Sequence, residues 1–237
     1  MDSQELLQAY NAGERNFSGL TLLELELLKL DLSDANFSQA DLRQSRLGRT
    51  HFCRNNFERC NLSESILWGS DLRNSNLKNA QLRETDLSSA LLSYANLEQA
   101  NLVKASLCGA NLNNANLANA RLIEADFRSN ADQRTDLGDA NLSQADLSYA
   151  LLSGVILRGA NLAQAVLCRA KLGKDYRPGS FSTDLSKVNL QGADLSYADL
   201  TGVNLKEANL RGADLTGTLL HQANLYHATM PDGQRHG

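Results

Sequence analysis

The chain has 237 residues, 42% hydrophobic but only 5% aromatic, with 23 basic and 27 acidic side chains giving a formal net charge of −4. Charge this mild and mixed excludes the basic footprint of a nucleic-acid-binding domain, and so few aromatics argue for a narrow core of leucine and alanine rather than a broad globular one. Two prolines and few long polar runs exclude extended disorder.

Residues 1–16 are expected to form an N-terminal cap. Asp2 or Ser3 can cap a short helix over residues 3 to 12, in which Leu6, Leu7 and Tyr10 form one apolar stripe and Gly13 ends the element. No positively charged segment precedes an apolar one, so no signal peptide is expected. The leucine-rich stretch 20–32 is too short and too acidic to span a membrane.

From Phe17 to Leu172 every fifth residue is Leu or Phe in a series of 32 positions, with Asp132 the single exception. A second series of 10 positions runs from Leu185 to Met230 and holds nine leucines. Two residues before each sits a small residue, often alanine, and between them Asp or Asn, as in Ala140-Asn141-Leu142-Ser143-Gln144. A period of five fits neither the 3.6 of a helix nor the 2 of a strand. The backbone must therefore bend at regular intervals, and a single pentapeptide cannot bury its leucine alone; stacked turns can. Leu and the small residue form the inward pair, and the other three positions face water with turn-friendly side chains.

A longer period is also legible. Phe17, Phe37 and Phe57 are spaced by 20, as are Asn16, Asn36, Asn56, Asn76, Asn96 and Asn116. Four pentapeptides per coil then stack the three phenylalanines directly. The 42 central positions correspond to about ten and a half coils, and at roughly 4.8 Å per layer the rod is about 50 Å long. The non-repeating helix is expected to lie over the first coil, where Leu20, Leu25 and Leu30 stand in place of alanine.

Two interruptions break the pattern. At Asn130-Ala131-Asp132-Gln133-Arg134 one pentapeptide lacks its leucine although the five-residue spacing holds on both sides. An ionised Asp in an apolar column costs several kcal/mol, so this segment is expected to bulge. The second is residues 173–184, where Leu172 and Leu185 are 13 apart and Pro178-Gly179 signals a turn. Residues 185–230 continue the same domain as 17–172, and 231–237 are expected to be a flexible tail.

The chain resembles the pentapeptide-repeat family, whose motif is Ala-(Asp/Asn)-Leu-X-X, over residues 17 to 230. The resemblance implies an all-β fold, a right-handed quadrilateral β-helix with the central Leu or Phe and the small residue inside, here with a short N-terminal capping helix. The Glu5-Leu6-Leu7-Gln8-Ala9-Tyr10 opening and the Met-Pro-Asp-Gly ending are similar to family members that regulate heterocyst differentiation in cyanobacteria. That likeness implies a cytoplasmic, non-enzymatic scaffold acting through contacts with cytosolic regulatory proteins. Other members inhibit DNA gyrase by mimicking DNA with an acidic surface, which is the alternative. Here the most acidic column, Glu24, Glu64, Glu84 and Glu124, is broken by Lys104 and flanked by Arg43, Arg83 and Arg121.

No catalytic or metal constellation is expected. His51, His221, His227 and His236 are remote from Cys or Asp at ligand spacing, and no phosphate-binding glycine loop or CxxC occurs. Cys60 occupies an inward position; Cys53, Cys108 and Cys168 face outward, with Cys108 and Cys168 on one face but three coils apart, too far for a disulfide. No cofactor, small-molecule substrate, nucleic acid or membrane is expected as a ligand.

Binding remains. A uniform 20-residue coil puts residues 92, 112, 132, 152 and 172 on one side, with the 173–184 loop leaving from its end. The candidate partner-binding residues are Leu91, Tyr94, Asp132, Arg134, Tyr149 and Leu151, with Lys174, Tyr176 and Arg177 of the loop. Exposed apolar and aromatic groups beside arginine are the usual material of interfaces. The alternative is an ordinary surface with scattered apolar groups.

Overall fold

The computed structural model describes residues 1–130, 133–174 and 181–237. They form a four-sided β-helix closed at its N-terminal end by one helix, α1 (Ser3–Asn11). No strand is longer than a single bridge: each pentapeptide pairs in parallel with the coils above and below through the residue before its leucine, as in Asn76↔Asn96↔Asn116.

Why the motif takes this shape follows from where its five N–H groups go. In Ala95-Asn96-Leu97-Glu98-Gln99, Asn96 donates back to Ser75 O (2.9 Å), while Leu97 and Gln99 donate forward to Asn116 O (2.6 Å) and Ala118 O (2.9 Å). Ala95 closes a turn on Leu92 O (3.0 Å). Only the Glu98 N–H has no backbone partner, and the Asn96 side chain accepts it (3.2 Å). The Asp or Asn of the motif therefore completes the backbone's hydrogen bonds. The residue after that N–H, Gln99, has φ +59°, the left-handed corner of a type II turn. Most corners carry a non-glycine residue, often a long polar one, although each costs about 1–2 kcal/mol there relative to a right-handed conformation; the others carry glycine.

Four faces result, numbered from Phe17. Phe17, Phe37 and Phe57 stack inside face 1 at 5.2 and 5.4 Å between ring centroids. On its outside the asparagine ladder of face 1 runs nearly unbroken, with Asn76 donating to Asn56 (3.2 Å) and Asn96 to Asn76 (3.3 Å). Asparagine suits this ladder because it both donates and accepts; an aspartate cannot donate when ionised. Toward the N-terminal end several inward small positions are polar and buried, among them Thr50, Asn55 and Ser70. Their side chains donate to Leu27 O, Leu32 O and Leu47 O of the coil before, so burial leaves no polar group unpaired.

Helix α1 covers the open first coil. Asp2 and Glu5 form a reciprocal capping box, and Leu6 is fully buried with Leu7 and Tyr10 packed against the core. Ser3 Oγ accepts the Glu26 N–H (3.0 Å) and Tyr10 Oη donates to Ser33 O (2.8 Å), occupying edge groups that have no coil above them. At the far end His227 and Met230 donate to His236 O and Gln234 O, and Thr229 and Arg235 form an antiparallel bridge.

The uniform coil fails at two places. Asn96↔Asn116 is a step of 20, but Asn116↔Asn141 is 25 and Asn161↔Asn189 is 28. One whole pentapeptide leaves the column around position 132, and eight further residues leave around 173–184. The five-residue spacing of the sequence is intact across the first interruption, yet the spatial register turns by one face. Hence 92 and 112 continue into 137, 157 and 185 on face 4, whereas 152 and 172 continue 107 and 127 on face 3. The expectation that 92, 112, 152 and 172 share a side is corrected accordingly. So is the pairing of Cys108 with Cys168, which lie on faces 3 and 2; all four cysteines are free.

Candidate partner-binding corner

Both insertions leave the helix at one corner, between faces 3 and 4, and two coils apart. The first departs after Phe127 and returns at Thr135; the second departs after Leu172 and returns at Thr183. The coil between them passes that corner through Gly154.

The same local device closes both. In a regular coil the corner N–H donates to a carbonyl of the next coil, as Tyr94 does to Asn113 O (3.1 Å). Where an insertion displaces that carbonyl, a buried threonine hydroxyl takes its place. Gly109 N donates to Thr135 Oγ1 (2.7 Å) and Gly154 N to Thr183 Oγ1 (2.9 Å). Thr183 Oγ1 in turn donates to Leu172 O (2.6 Å), and Thr135 Oγ1 lies 3.2 Å from both Leu107 O and Arg128 O. At Gly109 a side chain meets an obstacle, because its Cβ would collide with the Asn130 amide.

Arg134 joins the two insertions. Its Nε donates to Gly154 O (2.8 Å) and its Nη2 to Ser182 O (2.7 Å), while the guanidinium sits 5.2 Å from the Phe181 ring centroid. Burial lowers its pKa, opposed by Asp184 and Asp136 nearby. Behind it Asn130 donates to Ser89 Oγ (2.9 Å) and Gln133 to Gly109 O (2.6 Å), tying the first insertion down to the coils below. The result is a raised ridge with exposed Phe181 at one end.

The other predicted residues divide around this ridge. Leu91 lies on face 4 and Tyr94, 64% exposed, at that face's far corner. Leu151 is on face 3, half-buried, beside exposed Tyr149 at the corner between faces 2 and 3. The four residues Leu91, Tyr94, Arg134 and Leu151 therefore do not share one face, because the extruded pentapeptide moved Leu151 off the face of Leu91. Lys174 is exposed at the insertion corner, its N–H donating to Thr201 O (2.8 Å). Asp132, Tyr176 and Arg177 lie outside the described residues. Sequence reasoning missed Gly109, Gly154, Thr135 and Thr183; the available signal was a glycine at the corner position one coil before each interruption and a threonine where the repeat resumes.

On face 4 a hollow of about 420 Å³ opens where Gly138 and Gly159 leave space, lined by Asp136, Asp139, Arg158 and Lys187 among others. Its Asp136 already accepts the Gly138 N–H (2.8 Å), and Lys187 faces Glu207 (3.8 Å). No Ser, Cys or His lines it, so it offers no nucleophile–base pair. Among the described residues no group of three His, Cys, Asp or Glu could hold a metal ion, and no helix is long and apolar enough to cross a membrane.

The pentapeptide-repeat profile matches residues 31–128, 135–173 and 183–232 in overlapping copies, leaving out the two insertions. The chain is similar over its full length to HetL from the cyanobacterium Nostoc sp., a pentapeptide-repeat protein involved in heterocyst differentiation regulation, with 52% identity, 100% of both chains covered and a TM-score of 0.98. It is also similar to a trypsin-treated QnrB1, a plasmid-mediated fluoroquinolone resistance protein, at 22% identity over 76% of this chain and 86% of that one, TM-score 0.62. That second likeness is one of fold. No curated protein matches the chain.

Proposed function

The chain belongs to the pentapeptide-repeat family, and on that premise we propose that it is a non-enzymatic, cytoplasmic regulator of heterocyst differentiation that works by binding other regulatory proteins. The likeness to HetL over both full chains supports the biological role. The observation that carries the binding reading is the ridge. Two insertions interrupt an otherwise monotonous rod, and both emerge at one corner, where Arg134 clamps them together. A rod held only by stacking has no use for either insertion in its stability, and rigid, raised, partly aromatic surface is what interfaces use.

DNA mimicry finds no support in the charges. On the acidic corner Glu64 accepts from Gln44 (2.9 Å), Glu84 pairs with Arg83 (2.7 Å) and Glu124 faces Lys104 (3.9 Å). With Glu84 and Glu124 facing cations and Lys104 within the column, this corner does not reproduce the unbroken negative charge of a phosphate backbone.

Overexpression in a heterocyst-forming cyanobacterium should change heterocyst frequency. Arg134→Ala combined with Phe181→Ala should abolish that effect while the protein still folds. An unchanged frequency with the parent protein overturns the regulatory role; full activity of the double variant moves the interface away from the ridge.

A further inference from the structure

We propose that face 3 of the C-terminal coils, between the ridge and the corner of Tyr149, is a docking channel for an acidic, partly apolar peptide segment of the partner protein; this rests on the protein-binding reading above and specifies the partner's chemistry.

The corner between faces 2 and 3 changes character along the rod. In the N-terminal half it carries Glu24, Gln44, Glu64, Glu84, Lys104 and Glu124 in succession; beyond the first insertion it carries Tyr149, Arg169 and Tyr197. The Arg169 guanidinium lies between the two rings, 5.8 Å from the Tyr149 centroid and 5.7 Å from that of Tyr197, and it donates to Tyr149 Oη (3.4 Å). The Tyr197 ring is laid over Gly217, where a Cβ would stand 2.7 Å from its Cδ1. Both rings are nonetheless about half exposed, at 49% and 59%.

Beside this corner the bridging column of face 3 reads Leu151, Lys171, Asp199, Leu219, and Leu219 is 57% exposed. The column next to it reads Ser153, Gly173, Thr201 and His221; the Asp199 carboxylate lies over Gly173, and the column runs beside Lys174 toward the ridge. Among the described residues no carboxylate forms an ion pair with Arg169, Lys171 or Lys174. A guanidinium held between the two rings keeps further N–H groups for a carboxylate, and exposed Leu219 and the tyrosines beside it supply apolar contact area. Three cations interleaved with Asp199 and two tyrosines are too few for a phosphate chain, whereas they complement a segment of alternating acidic and apolar residues.

The test uses the whole protein and two labelled twelve-residue peptides, one of Glu, Leu and Ser and one with Lys in place of Glu, read by fluorescence anisotropy. The acidic peptide should bind, with affinity falling about tenfold between 50 and 300 mM salt. Arg169→Glu, or Tyr149→Ala with Tyr197→Ala, should weaken it about tenfold, and Glu124→Ala should leave it unchanged. Arg169→Gln, which removes the charge without reversing it, should fall between parent and Arg169→Glu, and melting temperature separates all of these from unfolding. Equal binding of the two peptides, or parent-like binding by Arg169→Glu, overturns the proposal. If Arg169→Glu retains the effect on heterocyst frequency while the ridge variant loses it, the channel is refuted and the regulatory reading stands.

Discussion

Thr183→Val isolates the device that lets an insertion leave the rod without loosening it. The substitution keeps shape and removes one hydroxyl that is fully buried. It strands the buried Gly154 N–H, now 2.9 Å from that oxygen, and removes the donor at 2.6 Å from Leu172 O. An unsatisfied buried N–H costs about 1–3 kcal/mol and the lost hydroxyl–carbonyl bond about 1 more, so the variant should be less stable by about 2–4 kcal/mol. For a chain of this size that is a fall in melting temperature of about 5–15 °C. Thr183→Ser keeps both bonds and removes one methyl, at a cost of about 1 kcal/mol. Urea titration followed by circular dichroism ranks the three proteins. If Val and Ser variants lie within about half a kcal/mol of each other, the hydroxyl is not substituting for the displaced carbonyl. Thr135→Val, opposite Gly109 N at 2.7 Å, should repeat the result at the first insertion.

Leu112→Ala, at a fully buried mid-rod position, should cost about 2–5 kcal/mol in the same titration. Asn116→Cys with Asn141→Cys, bridge partners across the first insertion, should form a disulfide in a background lacking the native cysteines, since parallel neighbours lie about 4.8 Å apart; Asn116→Cys with Asp136→Cys, the pair a uniform coil would join, should not. Asp71 is 4% exposed, and although burial alone would raise its carboxyl, bidentate pairing with Arg73 (2.6 and 2.9 Å) outweighs it and holds the pKa down at about 2. Its contribution is therefore fully present above the unfolded value near pH 4 and lost as pH falls through about 2, so acid titration should remove about 2 kcal/mol from the parent but not from Asp71→Asn. Leu151→Ser should weaken partner binding and Tyr94→Ala should not, because the two residues stand on opposite sides of the ridge; equal losses would mean that the partner spans the corner.

The solenoid, its inward columns and its four-sided coil were legible because each rests on a period, and a period is a property of the sequence itself. The phenylalanine stack of face 1 and the helix over the first coil follow from spacing and from the excess leucine at 20, 25 and 30. The spatial register beyond residue 130 was not legible. Asn130 to Arg134 is five residues long whether it forms a side of a coil or hangs outside it, so spacing alone cannot distinguish the two. The distinction lies in an energy: an ionised carboxylate in the leucine column would cost several kcal/mol, and the pairing of the described residues on either side skips one pentapeptide. From that single event follow the reassignment of Leu151, of Cys168 and of the acidic column, which does not continue beyond Glu124. The role of the motif's Asp or Asn was likewise hidden, because its partner is a backbone N–H two residues on and not another side chain.

A β-helix of this kind tolerates insertions at a corner for a reason written in its hydrogen bonds. The residue before each leucine bridges both ways, to the coil before and the coil after, and this pairing is untouched when chain is added between one face and the next: the Asn141 N–H still donates to Ala115 O (2.9 Å) and the Asn189 N–H to Ala160 O (3.0 Å) across steps of 25 and 28. Among the described residues, the corner N–H of the coil before loses its usual carbonyl at each insertion, and one hydroxyl satisfies it. At both insertions the corner residue is a glycine and the return residue a threonine, and the coils on either side stay paired in parallel. Two insertions at the same corner can then be joined by a single side chain, Arg134, into a feature that no uniform coil presents. Specificity in such a rod is concentrated where the repeat is broken, and the repeat on either side serves to hold those breaks rigid and aligned.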